Sequence, residues 1–265
     1  MAALVGRQKA AAECRAEQKH PAAVTIVRMA DLTTDAEHDA RRLRHCLLAT
    51  LAFAAALWAI KLLELALDLD LARFGVYPGT LRGLTGVFFA PFIHGSLGHL
   101  FSNTLPMVIL GTALLYGYPR SAKLVIPVLY FGTGVGVWLF ARSAWHIGAS
   151  GLTFGMMFFV FTSGVLRWDT RSIALALVVF LLYGSMIWGV FPGDPAVSFE
   201  SHLAGALIGI ALAVLLKNRD PVPPRKRYSW EDEEDVDEPP AWPPEDWTEP
   251  GQDSLPPGDD RHRSG

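Results

Sequence analysis

The sequence predicts an all-α, polytopic membrane protein with six transmembrane helices, and three observations carry that prediction. Of 265 residues 51% are hydrophobic and only 18% charged, with the apolar residues concentrated between Cys46 and Leu216 and both ends polar. That apolar region divides into six segments near the roughly 20 residues a helix needs to cross a hydrocarbon layer about 30 Å thick. The segments are continuously apolar rather than alternating, and an isolated strand in lipid leaves its backbone groups unpaired, so helices rather than strands follow.

Residues 1–45 form a polar N-terminal segment in which a short helix is expected around Ala36 to Leu43; it has no apolar run, so no cleavable signal peptide is expected. The first span covers 46–67 and carries Lys61 and Glu64, whose spacing of three suits a mutual ion pair or snorkelling better than an ion path. The following loop, Asp68 to Ile93, is long, apolar in its second half and rich in glycine (Gly75, Gly79, Gly83, Gly86), which points to an element lying in the interface or dipping into the membrane. Spans two to six are expected at 97–117, 122–141, 150–166, 172–191 and 199–216, making 46–217 one membrane domain. The fourth is short, about 25 Å of helix at 1.5 Å per residue, which sinks its outer end below the surface into a depression open to solvent. From 218 to 265 proline and acid dominate, and such a segment buries too little apolar area to order itself, so a disordered acidic tail is expected. Its run Pro239-Pro240-Ala241-Trp242-Pro243-Pro244 has the composition of a docking peptide for a cytoplasmic partner.

Orientation follows from the cations that flank the spans. Arg41, Arg42, Arg44, Arg120, Lys123, Arg167, Arg171, Lys217, Arg219, Arg225, Lys226 and Arg227 fall on one side, against Arg73, Arg82 and Arg142 on the other. Both termini are therefore expected to be cytoplasmic, in a multi-pass protein of the plasma (inner) membrane. Cys14 and Cys46 map to that side or its interface, which argues against a structural disulfide. The net charge of −3 combines a basic juxtamembrane segment with an acidic tail, and nothing in it points to nucleic acid.

Spans two, four and six run in the same direction, so their N-terminal ends share a depth. Those ends carry His99 and Asn103, then Ser150, then His202. Polar groups in apolar spans are costly and face a cavity or each other, so one site is expected. Serine needs a base, and neutral imidazole supplies one. No carboxylate is suitably placed, since Glu200 is two residues from His202 and Asp194 is in a loop, so the economical reading is a Ser150–His202 dyad. His99 and Asn103 share a helical face and, with the Ser150 N–H at a helix start, supply donors for an oxyanion; such donors are worth about 3–4 kcal/mol each. His94, at the loop junction, is expected to anchor the loop by hydrogen bonding. Gly205 and Gly209, one turn beyond His202, and Gly151 and Gly155 after Ser150 have the small-xxx-small spacing that lets helices approach closely.

Three segments together resemble the rhomboid intramembrane serine proteases: His94-Gly95-Ser96-Leu97-Gly98-His99-Leu100-Phe101-Ser102-Asn103, Gly148-Ala149-Ser150-Gly151, and His202-Leu203-Ala204-Gly205 with Gly209. The resemblance runs from about Gly75 to Leu216. It implies a rhomboid-like six-helix bundle, Ser150 as nucleophile, His202 as base, His99 and Asn103 at the oxyanion, and single-span membrane proteins as substrates, cut in or near their transmembrane segment; no metal or organic cofactor is expected. Two positions depart from the family pattern. Phe154 stands where a tyrosine often packs on the histidine, and the first loop reads Leu81-Arg82-Gly83 where many bacterial members carry a Trp-Arg pair. The competing readings are a non-proteolytic rhomboid-like protein that binds clients and a small transporter. Both reacting residues are present, which argues against the first; the absence of any internal repeat argues against the second.

Overall fold

A computed structural model describes residues 21–220, with side chains from residue 36 onward. Among the described residues seven α-helices follow one another: α1 (Pro21–Ala66), α2 (Gly86–Phe89), α3 (Leu97–Gly117), α4 (Pro119–Phe140), α5 (Ser150–Arg167), α6 (Thr170–Tyr183) and α7 (Phe199–Leu215). β-pairing among the described residues is limited to one isolated antiparallel bridge between Val76 and His146. Five helical stretches are long and apolar enough to cross a membrane: 36–66 within α1, α3, α4, α5, and 170–190, which is α6 with its 3-10 continuation Gly184–Val190. With the shorter apolar α7, of 17 residues, they make a polytopic helical membrane protein.

Three boundaries differ from the sequence expectation. The short N-terminal helix and the first span are one continuous helix, because residues 36–66 contain neither glycine nor proline to interrupt it. α4 starts at Pro119, whose missing N–H costs nothing in the first turn, and Asp220 caps it by accepting from the N–H groups of Arg120 (2.7 Å) and Ser121 (3.2 Å). The fifth span leaves α geometry at Tyr183 and completes its length as a 3-10 helix. The tail from 221 onward, with its acidic and proline-rich runs and Arg225 to Arg227, and the N-terminal Cys14 lie outside the described residues; Cys46 is a free thiol.

α5 is the centre of the bundle. Most of it is buried, with Phe159 and Val160 inaccessible, and it packs against α7 more extensively than against any other element. α1 lies on α3 and is held by polar pairs, Thr50 Oγ1 with Thr112 Oγ1 at 2.9 Å and Trp58 Nε1 donating to Thr104 Oγ1 at 3.0 Å. Lys61 and Glu64 form a buried ion pair of 2.8 Å, so pairing rather than snorkelling satisfies the charge. Leucines 63, 181, 207 and 215 are exposed, as befits surfaces that face lipid.

The loop from 68 to 93 folds into short turns, with 3-10 helices Ala72–Phe74, Arg82–Thr85 and Ala90–Phe92 around α2. Two of its glycines are required by close approach: a Cβ on Gly83 would strike the backbone of Tyr77, and one on Gly86 the backbone of Gly75 and Val76. The loop is fastened to α4 where Trp138 Nε1 donates to the Thr80 carbonyl at 2.8 Å and the Tyr130 hydroxyl to that of Phe88.

Candidate functional site

The site is built where α5 and α7 begin. Gly148 has φ +108°, a left-handed conformation that favours glycine, and its N–H donates to the Ala90 carbonyl at 2.9 Å, tying the approach to α5 onto the first loop. Ser150 is the first residue of α5 and half-buried. Side chains cap α3, α6 and α7, namely Ser96, Asp169 and Ser198, and Asp220 caps α4; Ala149 at the start of α5 offers no such acceptor. The first N–H groups of α5 therefore keep no side-chain partner, and they lie beside the Ser150 hydroxyl.

Ser150 Oγ lies 2.8 Å from His202 Nε2, and His202 Nδ1 lies 2.9 Å from the Gly189 carbonyl oxygen. A carbonyl oxygen only accepts, so Nδ1 carries the ring proton and Nε2 presents a lone pair to the serine hydroxyl. Phe154, one turn after Ser150 on α5, stacks on the imidazole with ring centroids 4.0 Å apart and planes 6° from parallel. No carboxylate among the described residues hydrogen-bonds to His202. Glu200 pairs instead with Arg142 at 3.4 Å, and Asp194 accepts from the N–H of Ala196.

The helix approach that brings these side chains together is made by glycine. A Cβ on Gly205 would collide with the Gly151 carbonyl, and one on Gly209 with that of Gly155. In turn a Cβ on Gly151 would meet Ser201, and one on Gly155 would come within 3.1 Å of the Gly205 carbonyl. All four positions thus face each other across the α5–α7 contact.

His99 and Asn103 stand on the adjacent face of α3. The His99 ring presses on Gly148, where an added Cβ would come within 2.8 Å of it, two residues before Ser150. The buried Asn103 donates one amide N–H to the His99 carbonyl at 3.1 Å, which leaves its second N–H. His94 departs from expectation: it is fully buried, but neither ring nitrogen has a hydrogen-bond partner among the described residues, and it holds its place by packing edge-on to His99 at 5.1 Å. Burial, and after it the neighbouring His99, lowers the His94 pKa from 6.5 to about 4, so its ring is neutral near neutral pH. No three His, Cys, Asp or Glu side chains among the described residues are grouped to hold a metal ion.

Two features escaped the sequence reading. The Gly189 carbonyl gave no signal, since every residue has one. The second is a clamp between the loops that precede α5 and α7. His146 Nε2 donates to the Arg142 carbonyl at 3.0 Å, its Nδ1 accepts from Ser198 Oγ at 2.6 Å, and Arg142 donates to the carbonyls of Pro195 (2.7 Å) and Val197 (2.9 Å). His146 and Ser198 each stand four residues before a member of the Ser150–His202 pair, so the clamp fixes both helix starts at once. A histidine so close to the glycine-serine motif was the one visible cue.

Comparison with known proteins covers the same elements. The chain is 35% identical over 176 residues to an uncharacterised protein of Mycobacterium tuberculosis, covering 63% of this chain and 73% of the relative. It is 32% identical over 179 residues to an uncharacterised protein of Mycobacterium leprae, covering 63% and 69%. With RHOMBOID-like protein 4 of Arabidopsis thaliana it shares 26% identity over 144 residues, covering 52% of this chain and 34% of that protein. The model of the Rhomboid domain matches residues 81–219. A match that runs through the first loop, α3, α5 and α7 alike, over more than half of the chain, makes this chain a member of the rhomboid family.

Proposed function

We propose that the chain is an intramembrane serine endopeptidase that cleaves single-span membrane proteins in or near their transmembrane segment, with Ser150 as nucleophile and His202 as general base. The observation that carries this reading is the two-sided hold on His202: the Gly189 carbonyl fixes the Nδ1–H tautomer and leaves Nε2 free to take the serine proton. Ser150 Oγ attacks the scissile carbonyl as its proton passes to Nε2. The oxyanion that forms is met by the uncapped N–H groups at the start of α5 and by donors from His99 and Asn103. Collapse of the tetrahedral intermediate hands the proton to the leaving amine, and water, activated by the same imidazole, releases the acyl group.

The test uses protein purified in detergent or liposomes with a panel of single-span substrates and a fluorophosphonate probe. Ser150→Ala and His202→Ala are each expected to reduce cleavage at least about 10³-fold, and Ser150→Ala to abolish labelling. Cleavage that survives both substitutions would remove the dyad and favour a client-binding protein.

Family membership and the charge distribution also support a multi-pass plasma or inner-membrane protein with the Ser150 end outward and both termini cytoplasmic. A cysteine placed at the exposed Gly193, between α6 and α7, in a chain whose own Cys14 and Cys46 are serine, is expected to react with an impermeant maleimide on intact cells. Reaction only after lysis would reverse the orientation.

A further inference from the structure

At the far end of the bundle from Ser150 two cations come together with no carboxylate partner among the described residues. Among the described residues four Lys or Arg side chains are not exposed: Arg42, Lys61, Arg167 and Arg171. Lys61 is paired with Glu64 at 2.8 Å and Arg167 with Asp169 at 3.1 Å. Arg42 and Arg171 have no carboxylate partner among the described residues; Asp39, one turn away from Arg42 on α1, is exposed and makes no ion pair with it. They converge instead on each other. Both donate an Nη2–H to the same acceptor, the Tyr116 carbonyl, Arg42 at 2.6 Å and Arg171 at 3.0 Å. Both guanidinium carbons also lie over the Tyr116 ring, at 5.1 and 4.2 Å from its centroid.

Tyr116 is in the last turn of α3, where carbonyls lack an intrahelical partner and the helix end favours a cation. One arginine meets that need. A second, within two hydrogen-bond lengths of the first, adds like-charge repulsion that a single carbonyl and ring offset only in part. Each guanidinium has five N–H donors and spends one on a partner among the described residues, so donors remain on both arginines for an acceptor that the two share.

We propose that Arg42, Arg171 and the Tyr116 rim form a site for the headgroup phosphate of an anionic phospholipid, which bridges the two guanidinium groups. The lipid, rather than a soluble anion, follows from what adjoins the cluster. Arg42 and Arg171 stand on apolar helical stretches long enough to cross a membrane, 36–66 and 170–190. Both stretches expose apolar side chains over the following turns, Leu43, Leu47 and Leu48 on α1 and Ile173 and Leu177 on α6, the surface that acyl chains cover while the phosphate sits at the helix ends. The site is separate from the Ser150 end and stands whether or not the chain is a protease.

The full-length protein, delipidated in detergent, is titrated with phosphatidylglycerol and with phosphatidylcholine, and bound lipid is counted by native mass spectrometry. Wild type is expected to retain the anionic lipid at least about tenfold more tightly. Arg42→Gln and Arg171→Gln are each expected to erase that preference, because one phosphate needs both forks. Arg44→Gln, an exposed cation on the same helix, is expected to change it by no more than about fivefold, the worth of one generic surface charge. An equal loss in all three variants, or retained preference in both cluster variants, overturns the proposal. Displacement of the lipid by millimolar inorganic phosphate overturns it in favour of a free-anion site. Anionic lipid that binds only after Glu231, Asp232, Glu233, Glu234 and Asp235 are changed to amides overturns it in favour of the chain's own acidic run. If the glutamine variants fail to fold, Arg42→Lys and Arg171→Lys keep the charge but not the fork; a reduced preference in them supports the site and an unchanged one overturns it.

Discussion

His202 is oriented by a backbone carbonyl and an aromatic face, and Gly189 serves both. Its oxygen takes the Nδ1–H, and its lack of a side chain makes room for the stack: a Cβ there would lie 2.7 Å from Phe154 Cζ and 3.3 Å from His202 Nδ1. Replacing the family's frequent tyrosine by Phe154 leaves that stack intact, because the ring and not the hydroxyl makes it. Gly189→Ala is therefore expected to push the Phe154 and His202 rings apart and to slow fluorophosphonate labelling of Ser150 by about tenfold to a hundredfold, the usual penalty for displacing a reacting group by a fraction of an ångström to one ångström. Gly193→Ala, four residues on in the loop that follows the 3-10 helix Gly184–Val190 and with nothing within 4 Å of an added Cβ, is the matched control and should label at the wild-type rate. Equal rates for both would mean the ring positions do not depend on Gly189. In the sequence the Ser150 hydroxyl alone did not stand out, since Thr50, Thr104, Thr112 and Thr133 also lie in spans. Ser150 and His202 were legible because the starts of spans four and six share a depth with His99 and Asn103 and fall in the three segments that resemble one family. The residue that orients the base was not, because its contribution is a carbonyl and an absence of side chain.

Between elements, the distance from Ser150 to His202 is set by how closely α5 and α7 approach, and four glycines set that approach. Gly205→Ala would place a methyl group against the Gly151 carbonyl, backbone on backbone, where no side chain is able to yield. The helices must part, so the 2.8 Å contact between Ser150 and His202 opens, and proteolysis should fall at least about a hundredfold. Circular dichroism should stay helical, because each helix keeps its own hydrogen bonds. Wild-type activity in Gly205→Ala would show that the contact tolerates a methyl group. The small-residue spacing was readable as a contact pattern, and helix lengths as apolar runs. Two element-level features were hidden. The change to 3-10 geometry after Tyr183 falls at Gly184-Ser185, two small residues that leave the stretch 170–190 strongly apolar, so hydropathy runs through it without a break. The Arg142–His146–Ser198 clamp joins loops more than fifty residues apart, which no local pattern encodes.

Over the whole molecule the two ends of the bundle do different work. One end brings loop, α3, α5 and α7 to a half-buried polar cluster, while the other ties helix termini together through charge. There Arg167, the last residue of α5, donates to Asp169 and Ser172 at 3.1 Å and to the carbonyls of Lys217 and Asp220 at 3.0 Å, while Asp220 caps α4. Asp169 is the anionic centre of this knot: it caps α6 by accepting from the Ser172 N–H at 3.0 Å and accepts from Ser172 Oγ at 2.7 Å. Burial by itself would raise its pKa, but the donors from Ser172 and Arg167 outweigh burial and hold the carboxyl below its usual value of 3.8. A carboxyl group whose folded pKa is depressed contributes stability above its unfolded pKa and loses it as the pH falls through the folded value. Asp169→Asn should therefore cost about 1–3 kcal/mol near pH 7, where Arg167 loses its buried counter-charge. That deficit should shrink as the pH drops below about 4, where wild type itself surrenders the ionised carboxylate. Thermal unfolding of both proteins in the same detergent at pH 7 and pH 3 measures the difference. A gap of the same size at both values would mean that Asp169 supports the fold through its shape and hydrogen bonds alone, without its charge.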